Sequence, residues 1–130
     1  MSLDYGRDCV LASGTFTPTT TGAKHGNYIW SKTYNYLCKT LTVVPTTTNH
    51  YESTLILQSS STAGSFASPT VLGTLVVTAA ATVGVPLEVR VADSLQQLAP
   101  GQLVRIWFTT GTTEDTAVFE YKVYGTVGHE

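Results

Sequence analysis

From residue 10 to residue 124 the chain alternates apolar and polar residues in short runs closed by Pro, Gly, Asn or Ser. A period of two marks a β-strand with one buried face. The cleanest case is Val85–Ala92, VPLEVRVA: Val85, Leu87, Val89 and Val91 point one way, and Glu88 and Arg90 the other. Pro86 at its start points to an edge or first-residue position, because proline cannot donate to a sheet ladder. In Leu103–Thr110, LVRIWFTT, the residues Val104, Ile106 and Phe108 share one face, and Leu103, Arg105 and Trp107 the other. In Ala117–Tyr124, AVFEYKVY, Phe119, Tyr121 and Val123 face inward and Val118, Glu120, Lys122 and Tyr124 outward. Further strands are expected at Val10–Thr17, with Gly14 as a bulge, at Leu37–Val44, at Tyr51–Gln58 and at Val71–Thr78. Asn27–Tyr36 is aromatic, and Tyr28/Trp30 and Tyr34/Tyr36 each share a face if the backbone is extended.

The connections are small and polar. Thr17–Lys24 and Thr46–Asn49 read as loops. Ser59–Pro69 reads as a long exposed loop pinned by Phe66, its one large residue. Asp93–Ala99 is the one helix-like stretch, a single turn with Ser94 and Gln97 spaced as a capping box and Pro100-Gly101 ending it. Leu103–Thr110 and Ala117–Tyr124 form the best hairpin, with a loop of about six residues. The sum is about eight strands and no helix long enough for a crossover. The fold class is all-β: a single-domain antiparallel β-sandwich over residues 1–130, with jelly-roll or Greek-key connections. Residues 1–8 read as a flexible or linking segment.

Composition sharpens this picture. In 130 residues, 42% are hydrophobic and only 12% charged. That balance excludes a disordered chain and leaves too few charges for the solvent face of ordinary helices. The 23 threonines favour strands. A net charge of -2 offers no attraction to nucleic acid. No apolar run nears the roughly 18 residues of a membrane span. Met1-Ser2-Leu3 has neither the basic nor the apolar region of a signal peptide.

Chemistry is not announced. His25, His50 and His129 fall in predicted loops or at the terminus, outside any motif. The string Ala63-Gly64-Ser65-Phe66-Ala67 lacks the second glycine of a nucleophile elbow. Glu52, Glu88 and Glu120 sit in the polar phase of their strands, where a solvated surface charge explains them better than a catalytic pair. The acidic residues lack the spacing of a calcium loop, and Cys9 and Cys38 have no zinc partners. Both cysteines read as small buried apolar residues; a bridge between them is not decided by sequence. The chain is expected to be no enzyme and to need no cofactor or metal.

Two groups of residues remain. Leu103, Trp107, Val118 and Tyr124 on the outer face of the expected hairpin form an apolar patch, with Arg105 on the same face as Trp107; such a patch is the mark of an interface in a homo-oligomer. Tyr28, Trp30, Tyr34, Tyr36 and Tyr51 offer an alternative: a platform on which a sugar ring stacks, as in carbohydrate-binding sandwiches of this size.

The stretch Leu98-Ala99-Pro100-Gly101-Gln102-Leu103-Val104-Arg105-Ile106, in a Thr/Ser/Ala/Gly-rich chain with few charges, resembles virion proteins of tailed bacteriophages. It is also similar to the jelly-roll heads of complement-type and tumour-necrosis-factor-like trimers, in which such a turn precedes the penultimate strand. Gln97–Val123 carries the likeness, with Gln102 in place of the more usual acidic residue. The resemblance implies a capsid decoration, tail or fibre component. Such a protein is assembled in the host cytoplasm, resides in the virion and contacts its own copies or other virion proteins. The alternative is an extracellular module that binds a receptor or a cell-surface glycan.

Overall fold

A computed structural model describes residues 9–16, 22–30, 34–47, 52–110 and 118–127, with the backbone alone for residues 16, 22–30 and 108–110. Among the described residues, nine strands build two antiparallel sheets. They are β1 (Cys9–Phe16), β2 (Gly22–Trp30), β3 (Tyr36–Pro45), β4 (Ser53–Ser59), β5 (Thr70–Val77), β6 (Leu87–Arg90), β7 (Gln97–Leu98), β8 (Leu103–Thr110) and β9 (Phe119–Val127). The first sheet has the order β1-β9-β3-β6, with β7 also on β3; the second has the order β2-β8-β4-β5. Pairing is nested: β1 with β9, β2 with β8, β3 with β6 and β7, β4 with β5. A long antiparallel ribbon rolled up in this way is a jelly roll.

Nesting overturns the expected last hairpin. β8 lies between β2 and β4, whereas β9 lies between β1 and β3, in the other sheet. Both strands were read correctly from their alternation; which strand each pairs with was not. Local pattern sets which face is buried, while partner choice depends on non-local contacts. The aromatic stretch is likewise split, with Tyr28 and Trp30 on β2 and Tyr36 opening β3 in the opposite sheet. Gly22 to Lys24, expected in a loop, belong to β2, as does His25.

The core lies between the sheets. Leu41, Val43, Leu55, Leu57, Val104, Phe119 and Val123 are fully buried there. Val104, Phe119 and Val123 belong to the faces that alternation sets apart in β8 and β9. Val91 is buried too, but Val85 lies ahead of β6 and is exposed. β6 is an edge strand with Pro86 just before it, as the proline predicts. The Asp93–Leu95 turn is a 3-10 turn without a side-chain cap. In place of the Ser94/Gln97 box, the buried Gln96 amide donates to the carbonyl of Val91 at 2.9 Å and to Asp93 Oδ1 at 3.2 Å. The strand bulge near the start falls between Val10 and Ala12 instead of at Gly14.

One end of the sandwich is stitched around Gln102. In Ala99-Pro100-Gly101-Gln102 the amide of Gln102 donates to the carbonyl of Ala99 at 3.1 Å, and Gly101 takes φ +90°. Proline second and glycine third is what a type II turn requires. The Gln102 side chain accepts from the amide of Ala99 at 2.7 Å and donates to the carbonyl of Ser60 at 2.9 Å. A carboxylate there could accept but not donate, which accounts for glutamine in place of an acidic residue. The Tyr36 hydroxyl donates to the carbonyl of Gln102 at 2.6 Å, tying the first sheet to the turn.

Cys38 and Cys9 are both free, which settles the question of a bridge. Cys38 is buried, as expected; Cys9 is exposed, contrary to expectation, because it starts an edge strand. Desolvation pushes the Cys38 thiol from its ordinary 9.0 up to about 12. Burial also raises the Tyr36 hydroxyl, with Cys38 adding to the shift.

Two predictions follow from this packing. A Cβ at Gly125 would collide with the carbonyl oxygen of Leu37 and lie 2.7 Å from Leu11 Cδ1. Gly125→Ala is therefore expected to cost about 3 kcal/mol in urea unfolding, the upper range for overpacking; a loss below about 1 kcal/mol would contradict the close approach. Both buried acids are raised, so their stabilising contribution is complete below the unfolded value and is lost as pH climbs through the folded one. For Cys38 the window runs from 9.0 to about 12. Melting temperature should hold to pH 8 and fall across that window, and under native conditions a thiol reagent should label Cys9 at once and Cys38 only on unfolding.

Candidate functional site

The five residues expected to form one patch are divided between opposite faces of the molecule. Leu103, Arg105 and Trp107 lie on the outer side of β8, in the second sheet. Tyr124 lies on the outer side of β9, in the first sheet. Val118 precedes β9, where its amide donates to Thr47 Oγ1 at 3.0 Å and its carbonyl accepts from Thr46. The single patch is not formed, because the hairpin that would have joined it is not formed.

Nor is the outer side of β8 bare. Arg105 is only 7% exposed. Its Nε donates to Gln58 Oε1 at 2.8 Å, and its guanidinium lies 4.0 Å from the centre of the Phe66 ring and 4.5 Å from that of Trp107. Burying an unpartnered guanidinium would be costly; two rings and an amide oxygen offset that cost. The local sequence explains the placement. Gln58 stands directly opposite Arg105 across the β4/β8 ladder, and Trp107 is two residues on, on the same face. Phe66 arrives from the loop between β4 and β5. Ser60 fastens the base of that loop: its hydroxyl accepts from the amide of Leu103 at 2.7 Å, and its amide donates to the carbonyl of Leu103 at 2.9 Å. The loop thus folds over β8, and Leu103 and Trp107 are half-buried instead of exposed. Phe66 as the pin was legible in the sequence; its receptor was not.

The aromatic platform is also dispersed. Tyr36 is 1% exposed, with its hydroxyl engaged in the Gln102 stitch, so no ligand reaches it. Tyr34 is exposed at a bend before β3. The backbones of Tyr28 and Trp30 stand in register with Arg105 and Leu103. Tyr51, His50 and His129 lie outside the described residues, as do residues 1–8.

Glu52, Glu88 and Glu120 are exposed. Among the described residues no three His, Cys, Asp or Glu gather as a metal site, and no helix is long and apolar enough to cross a membrane.

Two features were not singled out from the sequence. One is the edge of β5, the last strand of the second sheet, on which no further strand pairs among the described residues. Thr70–Val77 contains no charge and no proline, and Val71 and Val76 are 49% and 46% exposed. With Val83 and Val85 in the link after the strand, they make four of the seven strongly exposed large apolar residues among those described. The valines were visible in the sequence; that β5 ends its sheet was not. The other is a groove of about 240 Å³ on the outer side of the first sheet, lined by Thr42, Val44, Pro86, Glu120, Lys122 and Tyr124. Its β9 half followed from alternation, but the β3 half required the pairing of Thr42 with Lys122 and of Val44 with Glu120.

No protein-family model matches the chain, and no curated protein matches it.

The clamp on Arg105 is open to direct test. Phe66→Ala is expected to cost about 1–2 kcal/mol, the range of a desolvated cation–π contact, and to speed proteolysis within residues 61–69. Arg105→Lys should act in the same direction, because an ammonium cannot stack as a plane between two rings. Unchanged stability and unchanged cleavage in both variants would show that the loop is held by something else.

Proposed function

We propose that this chain is a non-enzymatic structural protein that self-associates, acting in a phage-type virion as a capsid decoration, tail or fibre component. The observation that carries the reading is the edge of β5, on which no described strand pairs. An edge strand presents unpaired backbone donors and acceptors, and natural proteins guard such edges with charge, proline or a covering element. β6, at the edge of the other sheet, is guarded in this way by Pro86, Glu88 and Arg90. β5 has a single irregularity, where Leu57 and Gln58 face Gly73 and Val71, and otherwise offers eight uncharged residues flanked by exposed valines. An apolar edge that carries neither charge nor proline, and whose guard is a single bulge at Leu72, is suited to contact with copies of itself in a protein built from so few charges. Jelly rolls occur in viral capsids but also in lectins and cupins. The fold is compatible with a virion role without demanding one.

The test is the native mass by light scattering across a concentration series. The wild type is expected to form an oligomer of defined mass. Val71→Lys combined with Val76→Lys, at exposed positions and thus harmless to the fold, is expected to leave monomers with an unchanged circular dichroism spectrum. A wild type that stays monomeric throughout, or a lysine variant that assembles normally, would overturn the reading.

A further inference from the structure

The outer face of the first sheet differs in chemistry from the β5 edge. Its outward positions include Glu88, Arg90, Glu120 and Lys122, two anions and two cations, all exposed. Charged residues, Lys and Glu above all, are depleted from the cores of protein interfaces. This face is therefore poorly suited to a second copy and remains in contact with solvent. Within it lies the groove of about 240 Å³.

We propose that this groove binds a neutral saccharide. Glu120, Lys122 and Tyr124 are successive outward residues of β9, so neighbours stand about 7 Å apart along the strand. Val44, Thr42 and Thr40 stand opposite them on β3, at the cross-strand distance of about 5 Å. A sugar ring has an apolar face of C–H groups and a rim of hydroxyls that both donate and accept. The groove meets each requirement. The half-buried Tyr124 supplies an aromatic surface, with Val44 and Pro86 as further apolar lining. Glu120 accepts only, Lys122 donates only, and the Thr42 hydroxyl does either. The opposite charges of Glu120 and Lys122 balance, so an anionic or cationic ligand gains little and a neutral polyol loses nothing.

Size points the same way. Pockets for drug-sized ligands run from about 300 to 1,000 Å³, so 240 Å³ suits a single ring. A second hollow of about 280 Å³ adjoins the same Glu120 and Lys122 from the β1 side, where Ser13 and Thr15 add hydroxyls. It extends the footprint to a second sugar unit. This inference stands apart from the assembly reading, since Val71 and Val76 lie on the other sheet.

Saturation-transfer NMR on the intact protein tests it. The neutral probes are the methyl glycosides of glucose, galactose and mannose together with N-acetylglucosamine; the charged ones are N-acetylneuraminic acid and glucosamine. At least one neutral probe is expected to receive saturation. Glu120→Ala and Lys122→Ala, at exposed positions, should each weaken binding about tenfold. Tyr124→Ala should abolish it, and Val71→Lys with Val76→Lys should leave it unchanged. Transfer to no neutral probe, transfer to charged probes alone, or undiminished transfer in the folded Glu120, Lys122 and Tyr124 variants would overturn the proposal.

Discussion

The architecture depends on the last strand reaching the middle of the first sheet. β9 pairs along its length with β1 on one side and β3 on the other. Without it those two strands have no connection within the sheet, and Phe119, Tyr121 and Val123 are absent from the core. Its insertion demands close backbone approach where both neighbours slip in register, near Val10/Ala12 on β1 and Cys38/Thr40 on β3. Gly125 lies at this meeting point, opposite Cys9 and Cys38, where a side chain would strike the Leu37 carbonyl. Long-range pairing of this kind is slow to form; here it joins the first and last described strands in one sheet.

From that constraint come the two unlike faces. Because consecutive strands are distributed between sheets, residues close in sequence emerge on opposite sides, as Leu103 and Tyr124 do. The second sheet uses its one described outward charge, Arg105, internally, clamped between Phe66 and Trp107, and its β5 edge is left apolar. The first sheet keeps its charges in solvent around a groove. A subunit that assembles through one side and meets other molecules with the other needs this division.

Much of the fold was legible in the sequence because burial follows a period of two. The two faces of β8 and β9 were read directly from alternation; the edge position was read from Pro86, and the pinning role of Phe66 from its being the one large residue of its loop. What stayed hidden was partnership. Nothing local to LVRIWFTT or AVFEYKVY says that each pairs with an early strand instead of with the other. Every site built on that hairpin was therefore wrongly composed, although Leu103, Arg105, Trp107 and Tyr124 do lie on the outer sides of their sheets; Val118 lies ahead of β9. The same limit dispersed the aromatic platform: Tyr28 and Tyr36 are close in the chain but belong to different sheets, and one of them fills the core. Gln102 shows the opposite case, in which a small departure at one position has a clear cause once the carbonyl of Ser60 is seen beside it.

The central claim is that β5 is where copies of this chain meet. Residue-resolved amide hydrogen exchange over a wide range of protein concentration tests it most directly. The backbone amides of β5 that β4 does not engage should exchange quickly in dilute solution and become protected as concentration rises, while those of β6 and of the first sheet's outer face stay unchanged. Exchange in β5 that is independent of concentration, or protection that develops on the first sheet instead, would contradict the account.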